Sequence, residues 1–531
     1  MLPEDRFFET MDKKKIWERY CGFLDLSLEE YMKIQHRLLM EQIKMVADTP
    51  LGKKIMKGTK PRSVEEFRQL IPLTTYDEYE PYLGQQREDV LAEKPLYWGH
   101  SAGRGGRFKW IPYTRRGFEV SVKCGLAAFI LSAASSKGEV NLKPGTRFLV
   151  LVPSRPYASG MLFYHWGQQF SFSYIPPLEQ AETMEFQDRI ATGFGLALRT
   201  GVDLIFAIAS VLVKVGETMT EQAQSMRFSL DLLRPPVLLR LLRALLLSKI
   251  ARRPILPKDL WRPKAIITGG TDTSIYKEKI AYYWGQTPYE GYGATEGFPL
   301  AMQSWNKKGL IFPPDLAFWE FIPEEELKKS VEDSDYEPAA VLFDEVEQGR
   351  TYEVVLTHFY GMPLLRYRMG DLVTFVDMRD EEADINLPHM VFKSRRGETI
   401  NLGGLTDLDE KTIWRAIENS GVKYSDWLAR KEYDGGQTYL RIYLELKENR
   451  DVNEIEQLFD QQLKAIDIDY RDVGDMIGLQ PVRVTLLTPR TFQRYFEDKQ
   501  KEGADLAHLK PPHMNASEAV IQKVLQLSQE R

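Results

Sequence analysis

Apolar residues recur at helical spacing through the first ninety positions. Leu28, Tyr31, Ile34, Leu38 and Leu39 fall on one face, and Ser63 followed by Glu66 has the spacing of a capping box. Further on, the pattern changes to short β-prone runs at 147–153, 264–268, 289–292, 339–343 and 352–357, separated by helical patterns such as 276–284. Strands alternating with helices predict an α/β protein whose strand-to-helix loops carry the chemistry, at the carboxyl ends where open sheets bind ligands. From about residue 396 the texture shifts again. Residues 412–417 and 453–466 read as helices, and 438–446 and 481–487 as strands. The expected fold class is therefore α/β: a large N-terminal domain of mixed sheets and helices over 1–395, and a smaller α+β C-terminal domain over 396–531. No internal repeat or low-complexity segment interrupts it.

Composition narrows the class. The chain has 531 residues, 43% hydrophobic and 27% charged, which excludes a disordered or collagen-like chain. That length suits several domains or subdomains and a core that needs neither disulfides nor a structural metal. With 70 basic and 76 acidic side chains the net charge is −6, which argues against a nucleic-acid coat but leaves room for a local basic pocket. Cys21 and Cys124 are the only cysteines and form no CxxC pair, so a reducing cytoplasm suits the chain. The start, MLPEDRFFETMDKKK, lacks the apolar core of a signal peptide.

The most apolar stretches are 194–215 and 230–250. Arg199, Asp203 and Lys214 interrupt the first, and Arg234, Pro235, Pro236, Arg240 and Arg243 the second. Both therefore read as buried or amphipathic helices, and no membrane span is expected. For 232–253 two readings stand: a helix packed between subdomains, and a helix lying on a membrane surface.

Three segments carry candidate chemistry. The first, 97–110, holds Ser101, Gly103, Arg104, Gly105, Gly106, Arg107 and Lys109. Glycines let backbone N–H groups approach an oxyanion, and the basic side chains supply charge, so a polyphosphate is its natural guest. It is not a P-loop, since GxxxxGK[ST] is absent. The second pairs Ile266–Gly270 with 289–297, each placing glycines after an apolar strand. Tyr292 offers a ring for a purine face, Thr295 a hydroxyl for a phosphate oxygen, and Glu296 a carboxylate for Mg²⁺. The third, 365–372, alternates arginines with aromatics before Gly370 and Asp371. It reads either as a salt-bridged strand edge or as the place where Asp371 accepts two hydrogen bonds from a ribose diol.

Taken in order, these segments resemble the GH3 (auxin-responsive promoter) family of acyl-acid amido synthetases, within the adenylate-forming superfamily. Residues 97–114 are similar to the family's phosphate loop and the strand after it. Residues 289–297 resemble its Tyr-Gly/Ala-x-Ser/Thr-Glu-Gly motif, 318–323 its FEFIP strand, and 349–371 its GxxYEVVxTxxxGxxRYRxGD run. Residues 387–395 and 400–403 resemble the stretch leading into the hinge, and 503–511 the closing segment. Two departures stand out: Ala102-Gly103-Arg104 replaces Gly-Thr-Ser, and Lys510-Pro-Pro-His513 replaces Lys-x-Pro-Arg.

The resemblance implies ATP-dependent activation of a small carboxylic acid as an acyl-adenylate, then transfer to an amine such as an amino acid. It implies ATP and Mg²⁺ as cofactors and a C-terminal domain that moves between half-reactions. Ser101, Arg104, Gly105, Gly106, Arg107 and Lys109 would embrace the pyrophosphate. Glu296 would hold Mg²⁺ and Thr295 the α-phosphate. Tyr292 would pack on adenine beside Gly269, Gly270 and Gly293, with Asp371 and Arg395 on the ribose. Lys510 would swing in for adenylation about a hinge at Glu398. Tyr164, Phe206 and Phe298 are the acid-pocket candidates. Two alternatives stay open: CoA as acceptor of the same adenylate, and a non-catalytic nucleotide- or acyl-binding relative.

Overall fold

The computed structural model describes residues 2–529 except 101–108, 153–154, 156–157, 185, 223–233, 270–272, 334–335, 396–398, 403–405, 435–436, 468–469, 472–481 and 503–510. The chain divides into two compact units, Met1–Lys393 and Ser394–Arg531.

The first unit begins with the expected helices. In the Leu28–Val46 helix, Tyr31, Leu38 and Leu39 are buried, and Ser27 with Glu30 forms a full capping box at its start. At the Val64–Leu70 helix only half of the expected box forms. Ser63 accepts from the Glu66 backbone, while the Glu66 carboxylate turns to the Arg62 N–H.

Strands then follow in chain order. β1 (Tyr97–His100) and β2 (Trp110–Tyr113) make a separate hairpin. β3 (Arg147–Leu151), β4 (Ser173–Ile175), β5 (Leu204–Ala207), β6 (Ala265–Gly269), β7 (Tyr289–Ala294), β8 (Gly297–Gln303) and β9 (Leu310–Ile311) come next. β10 (Ala317–Pro323), β11 (Val341–Leu342), β12 (Thr351–His358), β13 (Tyr367–Asp377) and β14 (His389–Arg395) complete the run. Among the described residues, β3 to β14 form one twelve-stranded sheet in the order 11-10-12-13-14-9-8-7-6-5-3-4. The half containing β4, β3, β5, β6 and β7 is parallel; β8, β9, β10, β11 and β12 pair antiparallel. The fold is thus α/β with a mixed sheet, as the alternation of periods indicates.

One expectation fails inside the 194–215 stretch. It is not helical throughout: β5 lies between the Phe186–Thr200 and Ala209–Gln222 helices and is buried along its whole length. A parallel strand covered on both faces shows no alternation, so its apolar run is indistinguishable from a buried helix by pattern. The 365–372 segment also departs from a strand edge, because β13 sits between β12 and β14.

Just before β13, Arg366 is held inside the protein. Its guanidinium makes a two-pronged pair with Glu320 of β10 (3.1 and 2.9 Å) and donates to the Arg68 and Ile71 carbonyls at 2.7 Å each. Arg366 is 5% exposed and Glu320 is fully buried. The Arg366 backbone takes a left-handed φ of 43°, a strained value for a side chain of this size.

In the second unit, β15 (Ile400–Leu402) and β16 (Thr406–Leu408) form a hairpin. β17 (Tyr424–Asp434) pairs antiparallel with β18 (Gln437–Leu446), which pairs parallel with β19 (Val482–Leu487). The Glu410–Asn419 and Val452–Ile466 helices pack with Trp427, Ala429, Leu440, Ile442 and Leu444 on one face. The Thr491–Lys501 and Glu518–Gln529 helices pack with Leu428, Tyr443 and Leu487 on the other. That two-sided burial explains why β17, with consecutive buried residues, shows no strand alternation. His513 is held through both ring nitrogens. Its Nδ1 and Nε2 lie 2.6 and 2.8 Å from Glu410 and Asp426, and its ring stacks on Trp427 at 4.5 Å.

Replacing Arg366 with Met leaves the Glu320 carboxylate buried with Arg68, 3.6 Å away, as its remaining cation. Urea unfolding is expected to show a loss of about 3 kcal/mol or more; an unchanged midpoint would refute the buried pair's role.

Candidate active site

The site is built where a hairpin turn meets β13. Thr295 and Glu296 are the two-residue turn between β7 and β8, with Ala294 opposite Gly297. The expected strand-to-helix loop is therefore a strand-to-strand turn here, because β7 runs on through Gly291 and Gly293 instead of ending before them. Gly293 has a packing reason of its own: a Cβ there would come 2.3 Å from the Phe298 ring.

Glu296 is buried, and its Oε1 accepts from the Tyr367 hydroxyl at 3.0 Å. Lys109, the residue that opens into β2, donates to the same hydroxyl oxygen at 3.0 Å and lies 4.0 Å from the Glu296 carboxylate. Burial first, then the Glu296 charge, pushes the Tyr367 phenol well above its ordinary range, so it remains a donor. Two further contacts fix the turn's backbone. The Tyr113 hydroxyl donates to the Thr295 carbonyl at 2.8 Å, and His358 Nε2 lies 2.7 Å from the Glu296 carbonyl. Because His358 Nδ1 accepts from the Leu364 N–H at 3.3 Å, Nε2 carries the proton and donates. The Tyr76 hydroxyl bridges the Trp110 N–H and carbonyl, anchoring β2 beside Lys109.

A second contact joins the same strands. The Tyr292 hydroxyl donates to Asp371 Oδ2 at 2.7 Å, and both residues are buried. Tyr292 faces Phe392 at 6.0 Å. Asp371 thus follows the left-handed Gly370 (φ 73°) within β13 and faces Tyr292. The arginines of the same segment are structural: besides Arg366, Arg368 pairs with buried Glu353 at 3.1 and 2.6 Å.

The structure brings together Lys109, Thr295, Glu296, Tyr292, Gly293 and Asp371, with Gly269 on neighbouring β6 opposite Gly291. Arg395 closes β14 and belongs to the second unit. Ser101, Arg104, Gly105, Gly106, Arg107, Gly270, Glu398 and Lys510 lie outside the described residues.

Of the acid-pocket candidates, Phe298 and Phe206 approach at 6.2 Å, with Trp166 at 5.9 Å from Phe298. Tyr164 lines a different small cavity with Val150, Val152 and Phe163, under the Arg155 guanidinium at 3.8 Å. Phe163 connects the two, lying 5.0 Å from Phe206. Sequence reasoning missed Tyr367, His358, Tyr113 and Phe163. Tyr367 was the legible one, standing within the RYR run; the others are single aromatics in ordinary apolar segments. A small cavity beside Glu296 is walled by Tyr113, Gly117, Ser121, Leu300, His358 and Met362.

This α/β fold is shared with solved acyl-activating enzymes. A structure of AtGH3.15 acyl acid amido synthetase in complex with 2,4-DB aligns over 97% of both chains with a TM-score of 0.70 at 17% identity. A 2-hydroxyisobutyryl-CoA ligase aligns over 96% of this chain and 94% of that one, with a TM-score of 0.64 at 12% identity. The GH3 family N-terminal domain matches residues 22–226, the central domain 310–395 and the C-terminal domain 412–519. The chain belongs to the GH3 family. Among curated proteins, a jasmonoyl–L-amino acid synthetase of Oryza sativa subsp. japonica is 24% identical over 286 residues, 49% of this chain and 46% of that one. The chain therefore spans about half that relative's length.

Burial holds the His358 pKa down at about 4, below its ordinary 6.5. A histidine kept neutral in the fold but protonated more readily when unfolded stabilises fully above pH 6.5. That contribution is lost as pH falls toward 4. Up to about 3 kcal/mol of stability is expected to disappear over that window. Urea melts of wild type and His358→Gln check this; equal slopes would exclude His358 as the source.

Proposed function

We propose that this chain is an ATP-dependent ligase that activates a carboxylic acid as its acyl-adenylate and transfers the acyl group to an amine, in the first instance an amino acid. The observation that carries the reading is the Lys109–Tyr367–Glu296 cluster. It unites in one place the three segments whose chemistry suits a nucleotide triphosphate. Membership of the GH3 family and the amido synthetase names of its relatives support the amide outcome.

A carboxylate resists amines because oxide is a poor leaving group. Attack of the substrate carboxylate oxygen on the ATP α-phosphorus forms a P–O bond and expels pyrophosphate. The amine then attacks the acyl carbon, loses a proton and expels AMP. The first step is governed by positioning and by stabilising phosphate charge. Lys109 would supply a cation to the polyphosphate, together with the donors proposed at 101–107. Thr295 stands in the same turn for the α-phosphate. The donor set suits magnesium: one carboxylate, Glu296, with phosphate and water completing the shell, the usual manner in which Mg²⁺ is held. Among the described residues no group of three acidic, histidine or cysteine side chains forms a metal cage by itself. Magnesium held by Glu296 would neutralise phosphate charge.

Asp371 would take the ribose diol by exchanging its Tyr292 hydrogen bond for those of the sugar, freeing the Tyr292 ring toward the base. Gly269, Gly270 and Gly293 would let the nucleotide approach, with Arg395 also serving the ribose. Phe206 and Phe298 would face the acid's apolar part, with Tyr164 further out. Residues 1–395 would form the adenylation domain and 396–531 a mobile domain that turns at Glu398 and delivers Lys510.

A pyrophosphate-release screen over a carboxylic-acid panel, with amino acids or CoA, tests this reading. Acid-dependent release with amide product is expected. Thioester from CoA with no amide would replace the acceptor, and no acid-dependent release would end the adenylation reading. Glu296→Gln is expected to lower acid-dependent pyrophosphate release by about 100-fold or more while thermal stability holds; near-wild-type turnover would remove the metal role. Asp371→Asn is expected to raise the KM for ATP several-fold, and an unchanged value would exclude the ribose contact.

A further inference from the structure

The Pro235–Ala251 helix presents its apolar face outward. Leu238, Leu239, Leu242, Leu245, Leu246 and Ile250 are exposed, up to 68% at Leu239 and 72% at Ile250. These positions, spaced 1, 3, 3, 1 and 4 apart, fall on a single helical face. The opposite side is the anchored one: Val237 and Ala244 are buried, Leu241 packs against the core under β3 and β5, and Arg240 donates to the Leu198 and Arg199 carbonyls. Two prolines open the helix at its first turn, where their missing N–H groups leave no hydrogen bond unmade.

Charge is as one-sided as hydropathy. Residues 232–258 contain no aspartate or glutamate, whereas Lys249 and Arg252 are exposed beside the leucine face. Asp259 pairs with Arg253 at 2.7 Å. A contiguous leucine face of this kind is uncommon on a protein surface and marks an interaction site. No helix among the described residues is long and apolar enough to cross a membrane, and this one is seated on its own core by its other side.

We infer that this face docks the protein on the surface of an anionic phospholipid bilayer, with the leucines entering the acyl–headgroup boundary and the basic groups meeting lipid phosphates. The charge pattern selects that occupant. A second copy, packed isologously, would bring two cationic rims together. A bilayer bearing phosphatidylserine answers both the leucines and the cations. The helix lies outside the Glu296 cluster, so docking does not depend on the proposed chemistry.

Co-sedimentation of the full 531-residue chain with phosphatidylcholine vesicles, with and without phosphatidylserine, tests it. Binding is expected with phosphatidylserine, weakening as salt is raised. Leu239→Glu combined with Leu246→Glu is expected to lower the bound fraction at least about tenfold, with an unchanged circular-dichroism melt. Lys249→Glu combined with Arg252→Glu, which leaves the leucines in place, serves as a second variant and is expected to abolish the phosphatidylserine dependence. Wild-type protein that stays in the supernatant with both vesicles overturns the inference. So does a leucine variant that pellets like wild type, or a concentration-dependent dimer lost in that variant without vesicle binding.

Discussion

A fully charged guanidinium sealed inside the first unit sets the frame for everything near Glu296. A buried guanidinium needs hydrogen-bond acceptors, so the fold has to surround Arg366 with them. It does so from three directions: the Glu320 carboxylate on β10, and the two carbonyls that end the Val64–Leu70 helical region. Those acceptors fix where β13 begins, and the very next residue is Tyr367. The left-handed backbone at Arg366 is sustained because so many contacts determine it at once. A site held in this way needs little reorganisation when charge arrives, which is the condition for electrostatic stabilisation of a reacting phosphate.

Around Glu296 the supporting groups are neutral donors, not further charges. Tyr367 and Tyr113 keep their protons because burial and the nearby carboxylate both disfavour phenolate. His358 stays neutral for the same reason with the opposite sign of charge, since burial disfavours its cation. The turn is thereby oriented without cancelling the carboxylate's charge, with Lys109 the adjacent cation among the described residues. Tyr292 and Asp371 repeat the scheme farther along the same two strands. The second unit answers a related problem differently: His513 places a flat ring against Trp427 and sets both nitrogens toward carboxylates.

The outward leucines of the Pro235–Ala251 helix obey no such internal logic. Burial of Val237 and Ala244, with Leu241 half-buried against the core, seats the helix, so the six exposed apolar residues on its far side add nothing to the fold's own core. Their placement beside a wholly cationic stretch is what separates this face from the singly scattered apolar residues of any surface.

Much was legible in the chain. Period and composition gave the α/β class, strands such as β3, β6, β12, β18 and β19, and the Glu410–Asn419 and Val452–Ile466 helices of the second unit, because those signals are local and repeat every two or three to four residues. The ordered motifs pointed to Lys109, Thr295, Glu296, Tyr292 and Asp371 because polyphosphate chemistry demands recognisable residue types. Other features were decided only in three dimensions. β5 and β17 are covered on both faces, which erases alternation. The RYR segment became a central strand with two structural arginines because Glu320 and Glu353, distant in sequence, stand opposite it. Tyr367, Tyr113 and His358 became part of the site through partners 71, 182 and 62 residues away. Which face of the 235–251 segment would look outward was likewise undetermined by its pattern, since leucine occupies nearly every turn; tertiary packing chose it by burying the side with the smaller Ala244 and Val237.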